Sequence, residues 1–162
     1  MQQIIREMSV EMAERIKKQR NWVKEHFTEE SQHKYETIDG KLYLLQGILD
    51  GNFINKDETV KLQSLGITFG DALSQKLGLE WVEVEDEYGI DPGLRYKKTS
   101  ILLFPLTMIS KRIENDEQIN IKDLFEGICK MVNDVIPSAH KSSVFTHIFN
   151  FFGKIKKIVN YG

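Results

Sequence analysis

Apolar positions recur at three- and four-residue steps through most of the chain and give way to alternation in one stretch. Ile5, Met8, Met12, Ile16, Val23 and Phe27, with Gln19 in the same series, form a stripe between charged residues, which predicts a long helix from Gln3 to Phe27. The polar, aperiodic run Thr28 to Glu36 reads as a loop. Ile38, Leu42, Leu45 and Leu49 set a second helix. It ends at Asp50-Gly51-Asn52, where glycine accepts the backbone of a helix end. A third opens at Asn55, with Glu58 placed as in a capping box, carries Leu62, Leu65, Phe69, Leu73 and Leu77, and stops at Gly78. Gly66 and Gly70 sit one turn apart on it and lower its helix propensity. They predict close approach of another backbone, that of the strands that follow.

From Glu80 to Glu87 the period changes to two. Val82 and Val84 point one way; Trp81, Glu83, Glu85 and Glu87 point the other. Tyr88-Gly89-Ile90-Asp91-Pro92-Gly93 reads as the turn, because it carries both backbone breakers. Leu94 to Tyr96 and Thr99 to Phe104 follow as strands, the second expected to be the central, buried one because it is apolar on both faces. Setting Arg95 and Lys97 against Glu83 and Glu85 gives one polar face. Pro105 opens a short helix with Met108, Ile109 and Ile113 inward and Lys111 and Arg112 outward. Asn120 and Asp123 open another, striped by Ile121, Leu124, Phe125, Ile128, Val132 and Val135 and broken at Pro137-Ser138. Val144 to Val159, capped by Ser143, is the most amphipathic segment.

The expected fold class is therefore α+β: a three-stranded antiparallel meander packed by about six helices. Residues 1–136 form a single domain, and 137–162 a basic amphipathic helix packed on it.

A chain of 162 residues, 41% apolar and 28% charged, supports one globular core. A net charge of −2 gives no bulk attraction for nucleic acid, which is not expected as a partner. Charge is segregated instead: Glu80 to Asp91 holds six carboxylates and no Lys or Arg, whereas His140 to Gly162 holds four lysines and no acid. The lone Cys129, in a helical pattern, excludes an internal disulfide or a multi-cysteine zinc site and reads as a small half-buried apolar side chain. The opening residues lack the apolar stretch of a signal peptide, and no run has the length of a membrane span. The expected location is the cytoplasm.

The run GDALSQKLGLEWVEVEDEYGIDPGLRY, followed by TSILLFPLTMISKRIE, resembles a family of bacterial proteins defined by a domain of unknown function, number 3806. Leu77-Gly78 before Trp81, Asp86 with Tyr88-Gly89, Leu94-Arg95 and the segment from Phe104 to Arg112 carry the resemblance, over roughly residues 60–135. It implies a bacterial origin and a compact α+β domain. It supplies no activity and no catalytic residues.

No stretch spells a catalytic, phosphate-binding or dinucleotide motif, so no catalytic residue, metal or cofactor is assigned. The glycine spacing at Gly66 and Gly70 is wrong for a dinucleotide fingerprint. Glu83, Glu85, Asp86, Glu87 and Asp91 form a carboxylate cluster, yet alternation throws Asp86 to the face opposite Glu85 and Glu87, and the spacing is not that of a calcium loop. A salt-bridged face or a partner-docking edge fits better. His26 and His33, like His140 and His147, are too far apart for one zinc. The basic set Lys17, Lys18 and Arg20 reads as a solvated helix face.

Trp81 has two standing readings, interface anchor and core packing beneath a helix. The candidate binding face is Trp81, Glu83, Glu85, Asp86, Tyr88, Arg95, Lys97 and Lys111. The favoured function is a non-catalytic interaction module binding another protein, of adaptor, chaperone-like or toxin-neutralising type. The alternative is a small enzyme acting on an anionic molecule through Asp86, Tyr88 and Arg95, with Lys111. For the C-terminal helix, packing on its own domain leads over a homodimer contact, and a membrane surface comes last.

Overall fold

The computed structural model describes residues 3–139. The predicted helix Val144 to Val159, its Ser143 cap, and His140 with His147 lie outside the described residues.

The first departure from the sequence pattern is at the start. Ile4–Glu7 is a strand, β1, and the helix that follows, α1 (Val10–Lys24), begins only after Ser9, whose hydroxyl accepts the Met12 N–H. The helical stripe is right from Met12 onward, where Met12, Ile16, Gln19 and Val23 are all buried. Ile5 fits the stripe by coincidence of phase. It packs instead beside Val84, across a strand pairing no local pattern announces.

The expected loop 28–36 is a 3₁₀ segment, Glu29–Glu36, which buries Tyr35 and sets its hydroxyl 2.9 Å from that of Thr68. Next, α2 (Ile38–Asp50) is capped by Thr37. Asn55 donates its N–H to Glu58 as the capping-box reading requires, but the helix proper, α3 (Thr59–Leu77), starts after that turn. Gly78 ends α3 in the left-handed region, φ 66°.

Strand β2 (Leu79–Asp86) pairs with β1 on one side and β3 (Gly89–Tyr96) on the other, and β3 with β4 (Leu102–Leu103), giving an antiparallel sheet of order β1-β2-β3-β4. The sheet thus has four strands rather than three. The strand at Leu102 is an edge rather than the centre, buried because Leu103 faces the main core and Leu102 a smaller cluster.

The predicted 88–93 turn shrinks to Glu87 and Tyr88, since Asp86 already pairs with Gly89. Pro92 and Gly93 lie within β3. The proline is tolerated because β4 pairs only with Leu94 and Arg95, leaving β3 edge-like at Pro92. A Cβ on Gly93 would stand 3.2 Å from Val84 Cγ2 and 3.4 Å from the Phe104 ring, so glycine lets that ring lie close over the strand.

Helix α3 runs across one sheet face with Leu65, Phe69 and Leu73 fully buried against Leu94, Leu103 and Ile109. The two glycines do mark a close approach, though not the one expected. A Cβ on Gly66 would fall 2.6 Å from Leu106 Cα, at the start of α4 (Leu106–Glu114). One on Gly70 would fall 2.7 Å from the Trp81 ring. Arg112, expected outside, is half-buried and donates to the Met108 carbonyl at 2.7 Å. Helix α5 (Ile121–Ala139) opens with Asn120 accepting from Asp123 and packs Phe125, Ile128 and Val132 inward. It runs through Pro137 rather than breaking there, the proline falling in the last described turn. Among the described residues no helix is long and apolar enough to cross a membrane.

Candidate functional site

The acidic end of the β2–β3 hairpin is built by its turn. Asp86 Oδ1 accepts the Tyr88 N–H at 2.8 Å, and Gly89 follows at φ 135°, a conformation side chains rarely adopt. This geometry pushes the Tyr88 ring outward, 82% exposed, with Glu87 beside it. The Glu87 charge and a hydrogen bond from the phenol raise the Tyr88 pKa. One cross-strand row reads Ile4, Glu85, Ile90, so both isoleucines, each 46% exposed, flank a carboxylate. Arg6 reaches along β1 to Glu85 at 2.5 Å. Asp91 lies opposite Val84, on the other face, and is exposed. The tip therefore presents an aromatic ring and two aliphatic side chains among carboxylates.

The remaining residues of the expected face do not join it. Arg95 pairs with Glu80, and Glu83 with Pro92, so the register differs from the expected pairing by an odd number of residues. An odd shift moves a residue to the opposite face. Arg95 is thereby on the side away from Trp81, its guanidinium donating to the carbonyls of Thr99 (2.7 Å) and Lys98 (3.1 Å). Glu83 is buried and accepts from both the N–H and the hydroxyl of Ser9, tying β2 to the head of α1. Lys97, in the left-handed region at φ 48°, sits with its ammonium 5.1 Å from the Tyr96 ring centre. Lys111 belongs to α4, which packs on α3. The three residues of the enzymatic alternative do not converge. Asp86 and the Glu80–Arg95 pair are six positions apart on β2, roughly 20 Å at a strand's rise per residue.

Trp81 is a packing residue, half-buried between the main core and the Met12–Ile16–Ile67–Leu106 cluster. Its indole N–H donates to Asp71 Oδ1 at 2.9 Å, and Arg20 grips the same carboxylate from α1 through Nε (2.5 Å) and Nη2 (2.8 Å). The bond to Asp71 raises the Arg20 pKa. Around this knot Lys24 and Lys41 flank the Tyr35 ring at 5.8 and 5.1 Å, Lys24 pairs with Glu36, and Lys41 donates to Gln75. Burial raises the Tyr35 phenol and lowers the Lys41 ammonium, while Lys24 lowers the Glu36 carboxyl.

The sequence reading missed this network and placed Arg20 on a solvated face. The available signals were Arg20 at the margin of its stripe and an aspartate directly after Gly70.

Elsewhere the chemistry is spare. His26 stacks on Phe53 and bonds the Trp22 carbonyl; His33 bonds that of Glu30. Among the described residues no three of His, Cys, Asp and Glu are grouped to hold a metal. A groove of about 880 Å³ between α2 and α5 is lined by Leu42, Tyr43, Lys76, Phe125 and Glu126, with Cys129 at its wall. Burial raises the Cys129 thiol, which weakens it as a nucleophile at neutral pH.

A family model described as a domain of unknown function, number 3806, matches residues 41–125, from within α2 to Phe125. No curated protein matches the chain. A crystal structure from Bacteroides thetaiotaomicron VPI-5482 superposes with a TM-score of 0.63 at 17% identity, covering 79% of this chain and 47% of that one. The likeness is one of fold. The chain spans about half the length of that neighbour.

Proposed function

Because the chain belongs to the family of the domain of unknown function 3806, whose description names no activity, we propose from its geometry that it is a non-catalytic protein-interaction module. The turn end of the β2–β3 hairpin is its docking point. The observation that carries this is the exposure of Tyr88, Ile4 and Ile90 beside Glu85 and Glu87. Exposed aromatic and aliphatic side chains supply buried area on association, and Tyr is among the residue types that anchor interfaces. Surrounding carboxylates select a partner segment carrying basic as well as apolar side chains. Adaptor, chaperone-like and toxin-neutralising roles all use such a surface. The bacterial cytoplasm is the proposed setting, on the family resemblance and on a single, buried cysteine.

Titration of the isotope-labelled chain with a peptide of alternating lysine and leucine, followed by amide chemical shifts, tests the reading. Shifts should cluster at Ile4 and residues 85–91. They should vanish in a Tyr88→Ala, Glu87→Lys variant whose melting temperature is unchanged. Equal shifts with a glutamate-for-lysine peptide, or shifts centred elsewhere, would remove the hairpin tip from consideration.

A further inference from the structure

We infer that the outer edge of β1 is a self-association surface, on which a second copy of this chain adds its own β1 antiparallel and continues the sheet. It shares Ile4 with the hairpin-tip reading, since the second copy covers that residue, whereas Tyr88 and Ile90 lie on the hairpin beyond this contact. Strand β1 is an edge: β2 pairs with one side of it, and among the described residues no strand pairs with the other. Three of its four residues are exposed. An open edge is a template for another strand, and a second copy presents the same edge at a matching concentration.

Parity and charge select the register. Around a twofold axis perpendicular to the sheet, directly opposed residues must share a face, so a residue of β1 can face only itself or one an even step away. Centring on Arg6 sets two guanidinium groups against each other, a like-charge pair that destabilises. Centring on Ile4 would set Ile5 against Gln3 and carry Arg6 and Glu7 past the mate's β1, whereas centring on Ile5 puts Ile5 against Ile5 on one face and Ile4 against Arg6 on the other.

Both faces gain from this arrangement. Ile5 belongs to the small cluster of Val82, Val84, Leu102 and Phe104, to which no described helical residue contributes. Its meeting with its symmetry mate joins two such clusters into one. On the opposite face Ile4, 46% exposed, is covered by the stem of the incoming Arg6, whose charge enters a row that contains Glu85.

The test is an Ile5→Cys variant of the full chain under air oxidation, beside Ile4→Cys and Val60→Cys, together with light scattering of the unaltered chain at high micromolar concentration. Directly opposed residues of an antiparallel pair have Cα atoms about 4.5–5.5 Å apart, within disulfide reach. Ile5→Cys should therefore form a disulfide-linked dimer while Ile4→Cys and Val60→Cys stay monomeric. The buried Cys129 keeps the unaltered chain as a blank. The molar mass of the unaltered chain should be doubled. A monomer mass overturns the inference even if Ile5→Cys crosslinks. A doubled mass with crosslinking at Val60, or at none of the three positions, overturns this surface. If Ile5→Cys misfolds by circular dichroism, Ile5→Val decides through the mass alone: it keeps the β-branched contact and should remain dimeric, whereas Ile5→Pro, which removes the N–H on the side away from β2, should be monomeric.

Discussion

The indole nitrogen of Trp81 lies 2.9 Å from Oδ1 of Asp71, and that carboxylate is also the seat of Arg20. One side chain on α3 thereby ties α1 to β2, which explains why a tryptophan in an acidic strand is directed inward. Asp71→Asn keeps the shape but removes the charge opposite Arg20. Breaking one partner of a buried ion pair costs about 3–5 kcal/mol. Arg20 is 33% exposed, so solvent reduces the loss to about 2–3 kcal/mol. Trp81→Phe, which forfeits one hydrogen bond and some packing, should cost less. Equilibrium unfolding in urea checks both. Equal losses would mean the carboxylate is held for Trp81 alone.

Glycines on two helices should respond to alanine with opposite signs. At Gly66 the added methyl meets the Pro105 carbonyl and Leu106 Cα at 2.6 Å, both of them backbone, so α4 must move. Overpacking of this kind outweighs the gain in helix propensity, and Gly66→Ala should lose about 1–3 kcal/mol. Gly127, exposed in α5 with nothing within 4 Å of a new Cβ, should gain up to about 1 kcal/mol. Thermal melts of the two variants against the parent decide the matter, at roughly 2–4 °C per kcal/mol for a chain of this size.

Those glycines also show what the sequence made legible. Their spacing announced a close approach, but not whether a strand or the head of α4 makes it, because that choice is tertiary. The alternation of β2 announced a strand; its register depended on where the turn closes. Pro92-Gly93 reads as a turn by composition. In the fold Asp86 accepts from Tyr88 and Gly89 takes the positive φ, so the turn closes earlier and Arg95 changes face. The candidate face was built on that parity and came apart with it. Strand β1 was hidden for a different reason, since Ile5 stands a helical step of three before Met8 and a four-residue strand shows too little alternation to be told from a helix start.

Alkaline pH should weaken the fold. Tyr35 and Cys129 have folded pKa values raised above their ordinary 10.0 and 9.0, with burial as the leading cause. Once pH passes those ordinary values the unfolded chain releases protons that the folded chain keeps. Stability is therefore full below pH 9 and falls as pH rises through and beyond 10. Lys41 acts in the other direction. Its folded pKa is depressed below 10.5, so its contribution rises toward that pH and offsets part of the fall. Tyr35→Phe should lower neutral-pH stability by about 1 kcal/mol through the lost bond to Thr68, yet flatten the decline above pH 10. An unchanged slope in that variant would assign the alkaline loss to other groups.

Glu83 and Ser9 are expected to act as one unit. The buried Glu83 carboxylate receives the Ser9 N–H at 3.0 Å and its hydroxyl more closely, while Ser9 Oγ itself accepts from Met12 N to cap α1. Ser9→Ala removes the cap and costs about 1 kcal/mol. Glu83→Gln exchanges the charged oxygen that accepts both Ser9 donors for a neutral amide oxygen and costs about 1–2 kcal/mol. Because each change disables the same contact, the double variant should fall short of the sum by at least about 0.5 kcal/mol. A double-mutant cycle in urea measures this directly. Strict additivity would mean that Glu83 steadies β2 without helping to position the head of α1.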